Sequence, residues 1–352
     1  MKHLGPLALF AALAIAWTWP LASHLHAAVP GDSGDNYSFL WNLWWMRHVV
    51  ATPGLPYFHT SYLFHPFGTT IANHPHTALP AIVAATLLGR ASVVTAQNLL
   101  LLAYVFANMA AMYALAWDLL TTINAEHAAE TDLRGVSELS VVRRASVLAA
   151  VIFGLSPYLA AHLLGHFDLM AAFVLPLFAL CVRRAMHAGT AVWAAAAGLV
   201  LIATAYTTYY YVVYLFFFLA VYAIAVLDWW PLRWAARPPS AGARRLRAAL
   251  GLLIAAFAAS AVWMVLTGGR TLSIFGIAVP VHKPQNVLTG AWICAIAYAL
   301  SLRRLALTRA PLPRDARRIA MAAAGVAAVF TIGAAPLLRQ ALHSTIAAAS
   351  GS

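Results

Sequence analysis

The sequence predicts an all-α polytopic membrane protein with about nine transmembrane helices and a long first outer loop, and three observations carry that reading. Of 352 residues, 63% are hydrophobic and 9% charged, against the roughly 25% charged residues of a soluble domain. Mean hydropathy is +0.78. The apolar residues gather into runs approaching the length a helix needs to cross hydrocarbon, and the basic residues cluster between those runs.

In chain order the candidate spans are 4–23, 95–119, 145–163, 169–183, 190–206, 208–228, 248–267, 286–302 and 319–338. The first follows Lys2 and precedes small residues, as a signal peptide would, but its length and the spans behind it favour an uncleaved helix. A further run, 78–89, is about 18 Å long as a helix and too short to cross. If that run stays outside, 17 of the 22 Lys and Arg residues face the cytosol, with the N-terminus there as well. If it crossed, Arg143/Arg144, Arg183/Arg184 and the Arg244–Arg247 cluster would all face outward, against the positive-inside rule.

Residues 24–94 then form one outer loop, far longer than an ordinary connector. Phe39, Leu40, Leu43, Trp44 and Met46 recur at helical spacing, so 37–50 reads as an amphipathic helix on the membrane surface, with 78–89 as a second or re-entrant one. Pro53, Gly54, Pro56, Pro66 and Gly68 mark turns between them. The stretches 120–144 and 229–247 read as ordinary inner loops. The chain thus reads as a single transmembrane domain over 1–352 without a separate soluble domain or an internal repeat.

Charge and cysteine content narrow the function. The net charge is +12, yet the basic residues punctuate apolar runs instead of lining a stripe, which argues against a nucleic-acid partner. Cys181 and Cys294 both sit in apolar runs and suggest neither a disulfide framework nor a metal motif.

The outer side has a distinctive inventory. Asp32, Asp35 and Asp168 are the only acids of ten that face it, with eleven of the fourteen histidines. Asp32 and Asp35 lie in GDSGDNYSFLWNLWW, where partial desolvation would raise a carboxyl pKa and make it a better base or metal ligand. Asp168 follows His162 and His166, which are spaced i and i+4 on one helical face. The same aspartates suit helix N-termini, and capping stands beside catalysis as their reading. The aromatic run from Tyr206 to Phe218 reads as lipid-facing and packing surface, or as a sugar- or polyprenyl-stacking face.

The stretch GDSGDNYSFLWNLWWMRH, followed by LFHPFGTT, QNLL, SPYLAAHLLGH and LPL, resembles bacterial membrane glycosyltransferases of the GT-C superfamily over about residues 20–230. That resemblance implies inverting transfer of a sugar from a polyprenyl-phosphate donor to a glycan, lipid or protein acceptor at the outer face of the plasma membrane. It assigns the base or metal-ligand role to Asp35, or else Asp32, and sets His166, Asp168 and His162 opposite. Lys283 and Arg270, in TGGRTLSIFGIAVPVHKPQN, would receive the lipid phosphate. A divalent metal, magnesium or manganese held by Asp35 and Asp168, stays open as a cofactor. The chain is shorter than many such enzymes and lacks a paired acidic motif. A transporter or flippase, and a non-catalytic member of the fold, therefore remain alternatives.

Overall fold

The computed structural model describes residues 3–350 except 32–33, 73, 76, 132–136, 189, 227–231, 237–239, 269, 275–276, 282–283 and 308–315. Helix dominates it. The chain opens with α1 (Leu4–Trp17), which stops where Pro20 disfavours helical backbone just ahead of itself, and a 3-10 turn at Leu21–Ser23 follows. The first loop holds α2 (Asp35–Ala51), a short antiparallel pair β1 (His59–Thr60) and β2 (Thr69–Thr70), and α3 (Ala78–Thr86).

Next come α4 (Val93–Thr131), α5 (Ser137–Gly154), α6 (Pro157–Leu163), α7 (Val174–Ala188), α8 (Ala191–Ala205) and α9 (Tyr209–Val226). Beyond them are β3 (Leu232–Ala236), α10 (Ala241–Thr267), β4 (Arg270–Ile274), β5 (Ile277–Val281), α11 (Pro284–Leu302), β6 (Arg303–Leu307) and α12 (Ala316–Ser350). All nine apolar runs meet a helix.

Among the described residues, four helical stretches are long and apolar enough to cross a membrane: Val93–Ala125, Leu139–Leu163, Ala241–Thr267 and Ala320–Gln340. Leu4–Trp17, Ala191–Ala205, Tyr209–Tyr222 and Val287–Leu302 are apolar but shorter. Leu252, Val265, Leu266 and Ile332 are each more than 70% exposed. Isolated exposed apolar residues are ordinary, but whole helices of them require hydrocarbon as solvent.

Several boundaries differ from the sequence reading. Residues 120–131 and 137–144 continue α4 and α5, so the expected 120–144 loop is largely helical, because its Ala, Glu and Leu residues are strong helix formers. The 229–247 loop holds β3 and the first turns of α10, and the loop after α10 is a β4–β5 hairpin. Residues 145–163 are two helices, α5 and α6: Pro157 cannot continue the backbone ladder, and the Ser156 hydroxyl accepts from the Leu159 amide to start the second.

The chain forms two compact units. The first, 1–221 with 314–352, is built around α4, against which α1, α2, α3, α5 and α7 pack. Its core runs through Phe10, Leu43, Leu101, Met109, Phe167 and Met170. α8 lies between α7 and α12, and a Cβ at Gly333 would come 2.3 Å from Ile202, so α8 and α12 meet at a distance only a small residue allows. The second unit, 222–313, is the α10–α11 pair, joined by the β4–β5 hairpin and flanked by the antiparallel β3–β6 ladder. There Arg247 donates to the Ser301 carbonyl at 2.9 Å.

Candidate functional site: a carboxylate beside a histidine turn

Asp35 opens α2. The N-cap position belongs to Gly34, which has no side chain to cap with, so Asp35 sits in the first turn, where the helix dipole favours a carboxylate. The segment before it is fastened at two points. Asn36 donates to the Pro30 carbonyl at 2.7 Å. Gly31 has φ +79°, and a Cβ there would fall 2.0 Å from the Leu164 carbonyl oxygen. Only glycine permits both that backbone and that approach, so the loop backbone lies directly on the turn that follows α6.

That turn is a series of overlapping backbone hydrogen bonds, His166 to His162, Leu169 to His166 and Ala171 to Asp168. Phe167 anchors it, buried between Phe39 of α2 and Tyr104 of α4 at ring distances of 5.8 and 5.4 Å. With Phe167 fixed, its neighbours diverge. The His166 side chain is 46% exposed, whereas Asp168 is 3% exposed.

His166 Nε2 lies 3.7 Å from Asp35 Oδ2, joining residues 131 positions apart. The His162 ring meets that of His166 edge-on at 4.8 Å and that of Tyr158 at 4.3 Å. His74, from the first loop, is within Coulombic reach of Asp35. Asp168 faces the other way. Burial pushes its carboxyl above the usual carboxylate range, opposed by the nearby Thr208 hydroxyl, the local backbone amides and His166. Among the described residues, Asp168 Oδ2, Thr208 Oγ1, His162 Nδ1 and Asn108 Oδ1 are enclosed and make no hydrogen bond of ordinary geometry. Asn108 places its amide on the Met170 carbonyl at 2.9 Å.

Of the residues expected from sequence, the structure thus brings together Asp35, His166 and His162, with Asp168 one residue inside them. Asp32 and Lys283 lie outside the described residues. Arg270 belongs to β4, in the second unit. Arg47 binds the carbonyls of Ala91 and Leu88 at 2.7 and 3.0 Å and fastens α2 to the α3–α4 connection. Sequence reasoning missed Gly31, Tyr104, Asn108 and Thr208. The only hint among them was the spacing of the two glycines around Asp32.

Among the described residues no group of three or more His, Cys, Asp or Glu side chains converges as a metal would need. What the site offers is an exposed carboxylate beside an imidazole, backed by a covered carboxyl whose pKa burial raises. Fold and site together define a helical membrane protein with a polar junction where its first loop meets the α6–α7 turn. Comparison with protein families, curated proteins and solved structures finds no match to the chain.

Proposed function

We propose that the chain is a GT-C-like glycosyltransferase of the bacterial cell envelope. It would cross the plasma membrane nine times with a cytoplasmic N-terminus and an outward-facing site, using a polyprenyl-phosphate-linked sugar. One observation supports this above all: the carboxylate of Asp35 and the imidazole of His166 meet at 3.7 Å from elements distant in sequence. In the reaction the acceptor hydroxyl oxygen bonds to the anomeric carbon as the carbon–oxygen bond to the lipid phosphate breaks. The leaving phosphate keeps the bond's electron pair, the hydroxyl proton passes to Asp35, and single displacement inverts the anomeric centre.

His166 orients the Asp35 carboxylate toward the acceptor hydroxyl. Asp32 is the reserve base. The test is sugar transfer by purified protein from a polyprenyl-phosphate sugar. Asp35→Asn and Asp35→Ala should each lose about 10²- to 10⁴-fold in kcat, and His166→Ala less. Full activity in both Asp35 variants would remove it from the mechanism. Movement of a lipid-linked solute without transfer would instead favour a flippase.

A further inference from the structure

α1 and α5 each pack on α4, and between them runs a cleft of about 320 Å³ lined by Pro6, Arg143, Arg144, Val147, Leu148 and Val151. Most of that lining belongs to Leu139–Leu163, one of the stretches able to cross a membrane, so the cleft lies in the wall that faces lipid. Leu148 is 60% exposed. An open apolar cleft in such a wall fills with what surrounds it, an acyl chain.

The end of the cleft is not neutral. Arg143 and Arg144 are exposed, and among the described residues neither makes an ion pair. Arg183 and Arg184, by contrast, are both engaged by Asp118. Guanidinium groups offer planar paired donors that match a phosphodiester. A zwitterionic headgroup would bring its own cation to the same place, whereas an anionic one brings none.

We propose that the α1–α5 cleft is a binding site for one anionic phospholipid, its acyl chain along Val147, Leu148 and Val151 and its phosphate between Arg143 and Arg144. The inference depends on the helices crossing a bilayer and is independent of the transferase reading and of which leaflet the arginines face.

The test is native mass spectrometry of the full chain in detergent with equimolar dioleoyl phosphatidylglycerol and dioleoyl phosphatidylcholine. Wild type should retain phosphatidylglycerol about 30-fold better, two arginines near the surface each contributing about fivefold. R143Q/R144Q should lose that preference, R143K/R144K should keep most of it, and Leu148→Trp should lower retention of both lipids by filling the cleft. If the double glutamine variant fails to fold, R143Q and R144Q alone should each lose about fivefold. Equal retention of the two lipids by wild type would overturn the proposal, as would an unchanged preference in the glutamine variants. So would an equal loss in R244Q/R245Q, which marks diffuse attraction to basic residues.

Discussion

Two carboxylates sit where α7 or the turn leading into it meets α4, and they are treated in opposite ways. Asp118 is bound by both Arg183 and Arg184; its Oδ1 lies 2.8 Å from Arg184 Nε, and the Arg184 guanidinium rests 4.6 Å from the centre of the Trp193 ring. Asp168 is more deeply buried, yet has an oxygen with no donor among the described residues. Asn108, which bonds the Asp168 turn, is ten residues before Asp118, about 15 Å along α4. A covered carboxylate with both cations in place holds helices together, and removing it leaves two guanidinium groups without their counter-charge. A covered carboxyl with unused hydrogen-bonding capacity is what functional sites keep and purely structural interiors avoid.

The contrast is broken most forcefully at the complete end. Asp118→Ala should destabilise by about 3–5 kcal/mol, because two guanidinium groups lose a largely buried partner; thermal unfolding in detergent checks this. A change under 1 kcal/mol would place Asp118 among surface pairs. Gly31→Ala comes next, at about 1–3 kcal/mol, since it combines a disfavoured backbone conformation with a clash against Leu164. Limited proteolysis should show the first loop cut sooner while α4 stays intact.

A smaller effect distinguishes the incomplete end. The Asp168 carboxyl binds its proton more tightly folded than unfolded, so its contribution to stability falls as pH rises from the unfolded value through the raised folded one. Asp168→Asn should therefore match wild type below the ordinary carboxyl range and gain on it in Tm as the pH rises toward 7. A variant less stable than wild type at pH 7 would mean that the ionised form is the one the fold favours. The least effect is expected from Asp35→Ala, within about 0.5 kcal/mol, because both side chains of that pair are exposed. Melting curves paired with transfer assays would then separate a residue kept for chemistry from one kept for stability.

The sequence announced the helices more clearly than the junctions. Apolar runs are local signals, and a run such as 248–267 needs only its own residues to be read as helix. The start of α2 was legible for the same reason, although Trp45, buried with its indole nitrogen on the Tyr57 carbonyl, packs inward while Trp44, one of the residues that marked the helix, is 38% exposed. The pairing of Asp118 with two arginines 65 and 66 positions away follows from packing that no local pattern encodes. Thr208 and Asn108 were invisible because a threonine or asparagine in an apolar run becomes notable only when its neighbours fail to bond it.

The contact of Gly31 with Leu164 also constrains biogenesis. Leu164 follows 133 positions later, and at cellular translation rates the ribosome needs roughly 7–27 s to reach it. During that interval the first loop has emerged but its docking partner has not been made. Nascent chains stalled before residue 164 should therefore leave a cysteine placed at position 39, which is buried against Phe167 in the folded chain, open to a thiol reagent, and release of longer chains should protect it.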